Sequence, residues 1–341
     1  MILGTCVACA QVFWGYEDER SAFRGLVWEA PLAHFDAPSY EESVEAIFGA
    51  FEHRTGKQLS PGERRRVGIK VYTNSGPGLR TPQALTLAAI ESLERRGFQR
   101  GEIFIVDQRE RALRDSGYLP LLSQRSEVGN NFHGVPVISL DTGRYYNNRW
   151  YYDSPLPKEV INPLGRVVTP ETDISVEDPE DRKSYLPEPL LTQVDFWINL
   201  PVVTDHSSLG LNGAMVNATL WNVSNNSRFF VSSSNAPVAV AEIAAIPEMQ
   251  DTWALSIVSL QYYQFIGGPA FNHLYVRSQP RLLASVDPVV LDAVVAKEIS
   301  DDRESAGFRP LPRLMPQLDY AYELQLGEPL ADRAKVFKLK P

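Results

Sequence analysis

Lys70 is the one charge in an otherwise apolar run, Val67-Gly-Ile-Lys-Val-Tyr72. A lysine buried in a strand must be paired or neutralised. One near a strand end can instead carry its head to solvent on its aliphatic stem. With its head in a crevice, Lys70 would hold a carboxylate or phosphate, helped by backbone donors of the turn from Gly76 to Thr81 at a helix start. Asn74 and Asp107 fall at the carboxyl ends of two predicted strands, where ligand crevices open in parallel sheets. Asp205-His206 is the sharpest polar pair. His206 reads as a general base, as a metal ligand, or as a structural histidine. Adjacent residues of an extended segment point to opposite faces, so Asp205 need not touch it. The other histidines, His34, His53, His133 and His273, have neither HExxH nor HxH spacing, so the sequence specifies no metal.

The elements that position these groups are clearest in residues 67–107. An apolar strand is followed by Asn74-Ser-Gly-Pro-Gly78, a glycine- and proline-punctuated turn. Thr81 reads as a helix N-cap with Pro82 at the first helical position. Leu85, Ala88, Ala89 and Leu93 share one helical face, and Gly97 closes the helix in the left-handed conformation. Residues 102–107 form the next strand. The unit is βαβ, which implies parallel strands. Further strands are expected at 194–200, 255–258 and 282–285, and helices at 237–246, from Asp287-Pro288 to about Ile299, and at 316–324. Residues 144–152 (RYYNNRWYY) read as a hairpin turning at Asn147-Asn148. Its aromatics either stack on a ligand or pack across strands. The acidic stretch 171–188 reads as a solvated loop.

The chain has 341 residues, 44% apolar and 22% charged, with net charge −9. This is ordinary globular usage. The acidic balance argues against nucleic acid as a partner, and no run is long enough for a transmembrane span. The two cysteines, Cys6 and Cys9, cannot by themselves supply an iron–sulfur cluster or a four-cysteine zinc site. There is no GxSxG elbow, no GxGxxG and no Walker ending, so no nucleotide motif is present. Residues 1–20 read either as the remnant of an export signal, with Ala8-Cys9-Ala10 as a small-x-small cleavage pattern, or as a first buried element. The first reading places the protein in the periplasm or otherwise outside the cytoplasm, the second in the cytoplasm. Residues 21–341 read as one elaborated α/β domain: a mostly parallel sheet with flanking helices, a Rossmann-like βαβ core, long loops and a hairpin.

Five segments occur in order: VGIKVYTNSGPGLRTPQAL, IFIVDQRERALRDSGY, INLPVVTDHSSLGLNGAMVN, YQFIGGPA and LLASVDPVVLDAV. Together they resemble the bacterial family labelled domain of unknown function 362, most closely its exported members with twin-arginine signals. The resemblance covers the chain from about Val67 to Leu339 and implies an α/β fold and, often, export. It implies no settled reaction. Lys70, Asp107, Arg109, Asp205, His206 and Asn217 match family positions, as do Gly267-Gly268-Pro269, Asp287-Pro288 and Asp292. Where the family carries two lysines, a histidine and an aspartate, this chain has Thr204, Val216, Phe230 and Ser259.

The resemblance and the residues together lead to an expected crevice. Lys70, Asp205 and His206 are its candidate catalytic groups; Asn74, Thr81, Asp107, Arg109 and Asn217 are its candidate ligand contacts. The expected function is binding of a small anionic ligand or a protein partner with weak or absent catalysis. The alternatives are an active enzyme on a small carboxylate, with a lysine anchor and a histidine acid/base or metal ligand, and a structural or interaction protein.

Overall fold

Residues 67–107 fold as the expected βαβ unit, a strand Val67–Lys70, a helix Gln83–Arg95 and a parallel strand Ile103–Asp107. In the computed structural model, the described residues are 13–14, 19–124, 129–154, 182–231 and 234–340, with the backbone of 160–161 and 167–168. Cys6, Cys9, the cleavage pattern and most of the acidic stretch 171–188 lie outside them. No helix among the described residues is long and apolar enough to cross a membrane.

In chain order the strands are β1 Leu26–Pro31, β2 Val67–Lys70, β3 Ile103–Asp107, β4 Asn131–Phe132, β5 Val135–Ser139, β6 Tyr146–Asp153, β7 Val160–Ile161, β8 Val167–Val168 and β9 Lys183–Pro187. They continue as β10 Phe196–Asn199, β11 Thr204–His206, β12 Gly210–Asn212, β13 Trp253–Ser259, β14 Tyr263–Gln264, β15 Val276–Arg277, β16 Arg281–Ser285 and β17 Lys335–Lys338. Nine of them form the main sheet in the order β17-β1-β16-β13-β10-β2-β3-β5-β4. The run from β13 through β10, β2 and β3 to β5 is parallel, and β16 is antiparallel to both of its neighbours. The fold is therefore α/β with a mostly parallel sheet, covered by helices on both faces. Central strands buried on both faces read as continuous apolar runs, as β3 (IFIVD) and β13 (WALSIVS) do.

Alternation sends side chains to two cores. Ile69, Ile105, Phe196 and Ile257 join the helices Ala37–Thr55 and Gln83–Arg95. Phe104, Val106, Trp197 and Trp253 join the other layer, with Val240 of the helix Asn235–Ala244 and Val289 of the helix Pro288–Ser305. Asp287 caps the latter helix as expected, accepting from the Val289 and Val290 amides at 2.9 and 3.0 Å.

Two local readings are corrected. Thr81 does not cap the helix Gln83–Arg95; Pro82 stands at that cap without a side-chain bond. The Thr81 hydroxyl instead accepts from the Tyr72 amide at 2.8 Å and donates to the Leu200 carbonyl at 2.6 Å. Buried backbone groups at the ends of two strands need partners more than a helix end does. Residues 144–152 do not turn at Asn147-Asn148. From Tyr146 on, the aromatic run lies within the single strand β6, paired antiparallel with β9, and the pairing register shifts between Tyr146 and Tyr151. Tyr145, Tyr146, Trp150 and Tyr152 pack against the core, while the more exposed Tyr151 meets Tyr185 across the pair at 6.3 Å and lies under the Lys183 ammonium at 4.7 Å.

Candidate functional site

The candidate residues divide between two places. The first lies at the end of β2, where Lys70 faces the layer of Phe104 and Trp197. Strand register sets Ser285, Ser256, Asn199 and Lys70 side by side across β16, β13, β10 and β2. Asn217, from the short helix Ala214–Ala218, lies over this polar row. Lys70, Asp107, Asn199 and Asn217 are all 0% exposed.

Each polar group in the cluster has a partner. The Lys70 ammonium donates to Asp107 Oδ1 at 2.7 Å, Asn217 Oδ1 at 2.9 Å and the Val71 carbonyl at 2.7 Å. An ammonium has three N–H donors, so all of them are engaged. Asp107 also accepts from the Gln108 amide at 2.7 Å, and its Oδ2 accepts from the Thr73 amide at 2.8 Å and hydroxyl at 2.6 Å. Asn217 Nδ2 donates to Asn199 Oδ1 at 2.7 Å, and Asn199 Nδ2 reaches the Ala214 carbonyl and Ser256 Oγ. Burial pulls the Lys70 ammonium below the ordinary lysine value, and the Asp107 carboxylate works against that pull. The arrangement can hold charge and fix strand ends. It leaves Lys70 no donor for an added anion.

Three amides of the turn beside it are engaged as well. The Gly76, Leu79 and Thr81 amides donate to the carbonyls of Thr73, Gly76 and Tyr72. Asn74 Nδ2 makes a long bond of 3.4 Å to Gln108 Oε1, while its buried Oδ1 has no partner. Arg109 is exposed just before the helix Glu110–Asp115.

His206 stands elsewhere. No hydrogen bond joins it to Lys70, Asp107 or Asn217. Its ring packs 5.4 Å from Phe230, Phe230 stacks on Trp221 at 5.6 Å, and Trp221 lies 6.4 Å from Tyr72. The position where the resembled family carries histidine is thus an aromatic ring laid on His206. His206 Nδ1 accepts from the Ser208 amide at 3.2 Å, which assigns the imidazole proton to Nε2. Burial holds His206 below the ordinary imidazole value, against the opposing charge of Asp205. The ring is therefore neutral near pH 7, with one N–H to donate.

No hydrogen bond joins Asp205 to His206 among the described residues. The Asp205 carboxylate accepts from the Gly267 and Gly268 amides at 3.1 and 2.7 Å and pairs with Arg303 at 3.2 Å. Both residues line an open cavity of about 710 Å³, within the range of small-molecule sites. Its far wall is the segment after the helix Pro288–Ser305, including Arg309, Leu311 and Met315. Arg303 also donates to the Phe265 carbonyl at 3.0 Å and the Arg309 carbonyl at 2.7 Å. Arg309 is exposed, and no hydrogen bond or ion pair holds its guanidinium among the described residues. Asp205 and Arg303 offset each other, so Arg309 is the cavity's uncompensated charge.

Thr204 and Val216 are both buried. Thr204 Oγ1 bonds to the Asp205 carbonyl at 2.8 Å, and Val216 joins the apolar core. Ser259 lies at the end of β13 and meets Tyr40 of the helix Ala37–Thr55 at 2.7 Å, on the other face of the sheet. Sequence reasoning missed Asn199, Ser256, Arg303 and Arg309. A signal for the first existed, an asparagine inside an apolar strand. The run RPLPRLMP at 309–316 likewise marks an extended, proline-stiffened segment. No group of three or more His, Cys, Asp or Glu residues gathers among the described residues in a way that could hold a metal ion. No family model, no curated protein and no solved structure matches the chain.

Proposed function

We propose that the chain is a divergent member of the family labelled domain of unknown function 362, and that it binds a small anionic ligand in the His206 cavity without transforming it. The observation that carries the reading is a division of labour. Lys70, the expected anion anchor, has all three donors engaged inside the protein, whereas Arg309 stands uncompensated at a ligand-sized cavity. A neutral imidazole donor and a guanidinium form a site for an acceptor-bearing anion. The lysine-to-threonine, lysine-to-valine and histidine-to-phenylalanine differences from the family pattern support absence of catalysis, because each replaces a group able to move a proton or hold charge. Asp205 is committed to two amides and Arg303, so it is not poised to orient His206 as a base.

The test is calorimetric titration of the protein with acetate and with inorganic phosphate at low ionic strength. Saturable binding is expected for wild type, lost in Arg309→Gln and weakened in His206→Phe. Binding that survives both substitutions, or is lost in Lys70→Met with the fold intact, overturns the reading. A specific observation also favours a second reading, an enzyme acting on a small carboxylate: His206 is neutral and lines a cavity. It requires turnover that Arg309→Gln slows and His206→Phe abolishes.

A further inference from the structure

The cavity around His206 has a mixed lining. Arg303, Arg309 and the His206 imidazole bring donors to it, beside the Asp205 carboxylate that Arg303 pairs. Leu209, Leu311, Met315 and the prolines at 310, 312 and 316 make it apolar elsewhere. Leu209 and Met315 are 1% exposed and belong to the core, so the apolar lining is anchored. Met315 also packs against Gly210, where an added Cβ would lie 3.0 Å from its sulfur. The prolines of the segment 309–316 bring few backbone donors to the cavity, since proline has no N–H.

A small, strongly hydrated anion such as phosphate would satisfy Arg309 and leave the apolar wall wet. A ligand with a carboxylate at one end and a hydrocarbon body would use both parts of the lining, with charge-assisted bonds at the guanidinium and apolar burial along the leucine and the prolines. On the reading that this cavity is the ligand site, we infer that its ligand class is the amphipathic monocarboxylate: an alkyl or aryl acid whose head group pairs with Arg309 and accepts from His206 Nε2, and whose body lies against Pro310, Leu311 and Pro312.

The test is a homologous series titrated into the full chain: acetate, butanoate and octanoate, with octan-1-ol and octylammonium as headgroup controls. A fully buried methylene strengthens binding by up to about fourfold. Octanoate is therefore expected to bind at least tenfold more tightly than acetate, to outcompete octan-1-ol and octylammonium, and to lose at least tenfold in Arg309→Gln. If acetate and octanoate bind alike and both depend on Arg309, the ligand class is wrong while the cavity remains the anion site. If octan-1-ol binds as well as octanoate, the carboxylate part of the inference fails. If no probe in the series responds to Arg309→Gln or His206→Phe, the cavity reading itself fails.

Discussion

Replacing Lys70 with methionine separates a structural lysine from a ligand anchor, because the two roles predict effects of opposite sign. The side chains are of similar length, so packing changes little. The electrostatics change completely. Asp107 keeps three donors, the Gln108 amide and the Thr73 amide and hydroxyl, but loses its counter-charge in a site with no exposure. The Val71 carbonyl and Asn217 Oδ1 each lose a charged donor. Removing one partner of a buried ion pair costs about 3–5 kcal/mol. The two neutral acceptors left without donors place Lys70→Met at the upper end of that range, against the roughly 5–15 kcal/mol by which most native domains are stable. Urea unfolding followed by tryptophan fluorescence measures it, with Asp107→Asn and the double variant completing a cycle. The double variant is expected to be less destabilised than the sum of the singles. Acetate affinity at the cavity should be unchanged in any variant that folds. A Lys70→Met protein as stable as wild type, or more stable, that no longer binds the anion would refute the argument, since residues kept for function commonly cost stability rather than supply it.

Two further outcomes follow from buried carboxylates on the helix Pro288–Ser305. Burial pushes Asp292 up to about 7 although it accepts the Met215 and Ala214 amides at 3.0 and 2.6 Å. Its folded value lies above its unfolded one, so its contribution is fully present below about pH 4 and is lost as pH rises toward 7, by at most about 1.4 kcal/mol per pH unit. Urea midpoints of wild type should therefore fall relative to Asp292→Asn between pH 5 and pH 7, and parallel profiles would exclude the shift. Asp287→Ala leaves four amides without acceptors, those of Gly25, Val289, Val290 and Glu328. It should cost about 3–5 kcal/mol, well beyond a helix cap alone, and Asp287→Asn should recover part of that in the same assay.

The parts of the fold legible in the sequence are those whose causes are local. The βαβ unit follows from apolar runs, a glycine-proline turn and a left-handed Gly97, all within a few residues of the structure they dictate. Asp287-Pro288 is legible for the same reason. Lys70 is different. Its type was informative, but its role depends on Asn217, 147 positions away, which closes the third donor. Nothing in the local pattern distinguishes an ammonium with a vacant donor from a saturated one. The reading of residues 144–152 as a hairpin failed similarly. Asn-Asn is a local turn signal, and it was outweighed by pairing with β9, far along the chain. The cavity was the least legible feature. Its two walls come from residues 205–210 and 303–316, and nothing local to either segment says that the two meet.

That separation bears on Thr204, Val216 and Phe230, the positions where the resembled family carries two lysines and a histidine. Thr204, Val216 and Phe230 are each accommodated by apolar or hydroxyl contacts: Thr204 on the Asp205 carbonyl, Val216 in the core, Phe230 between His206 and Trp221. A cation at 204 or 216 would enter a region with no exposure, and an unpaired buried charge is far costlier than an apolar side chain. The saturation of Lys70 and the lack of a cation at 204 and 216 are therefore one condition. With a single ammonium, Asp107, Asn217 and the Val71 carbonyl balance it. With more, the cluster would need an external anion to hold them. On this argument, introducing Val216→Lys should either unfold the protein or create an anion requirement in the interior that wild type lacks, detectable as anion-dependent thermal stability that persists in Arg309→Gln.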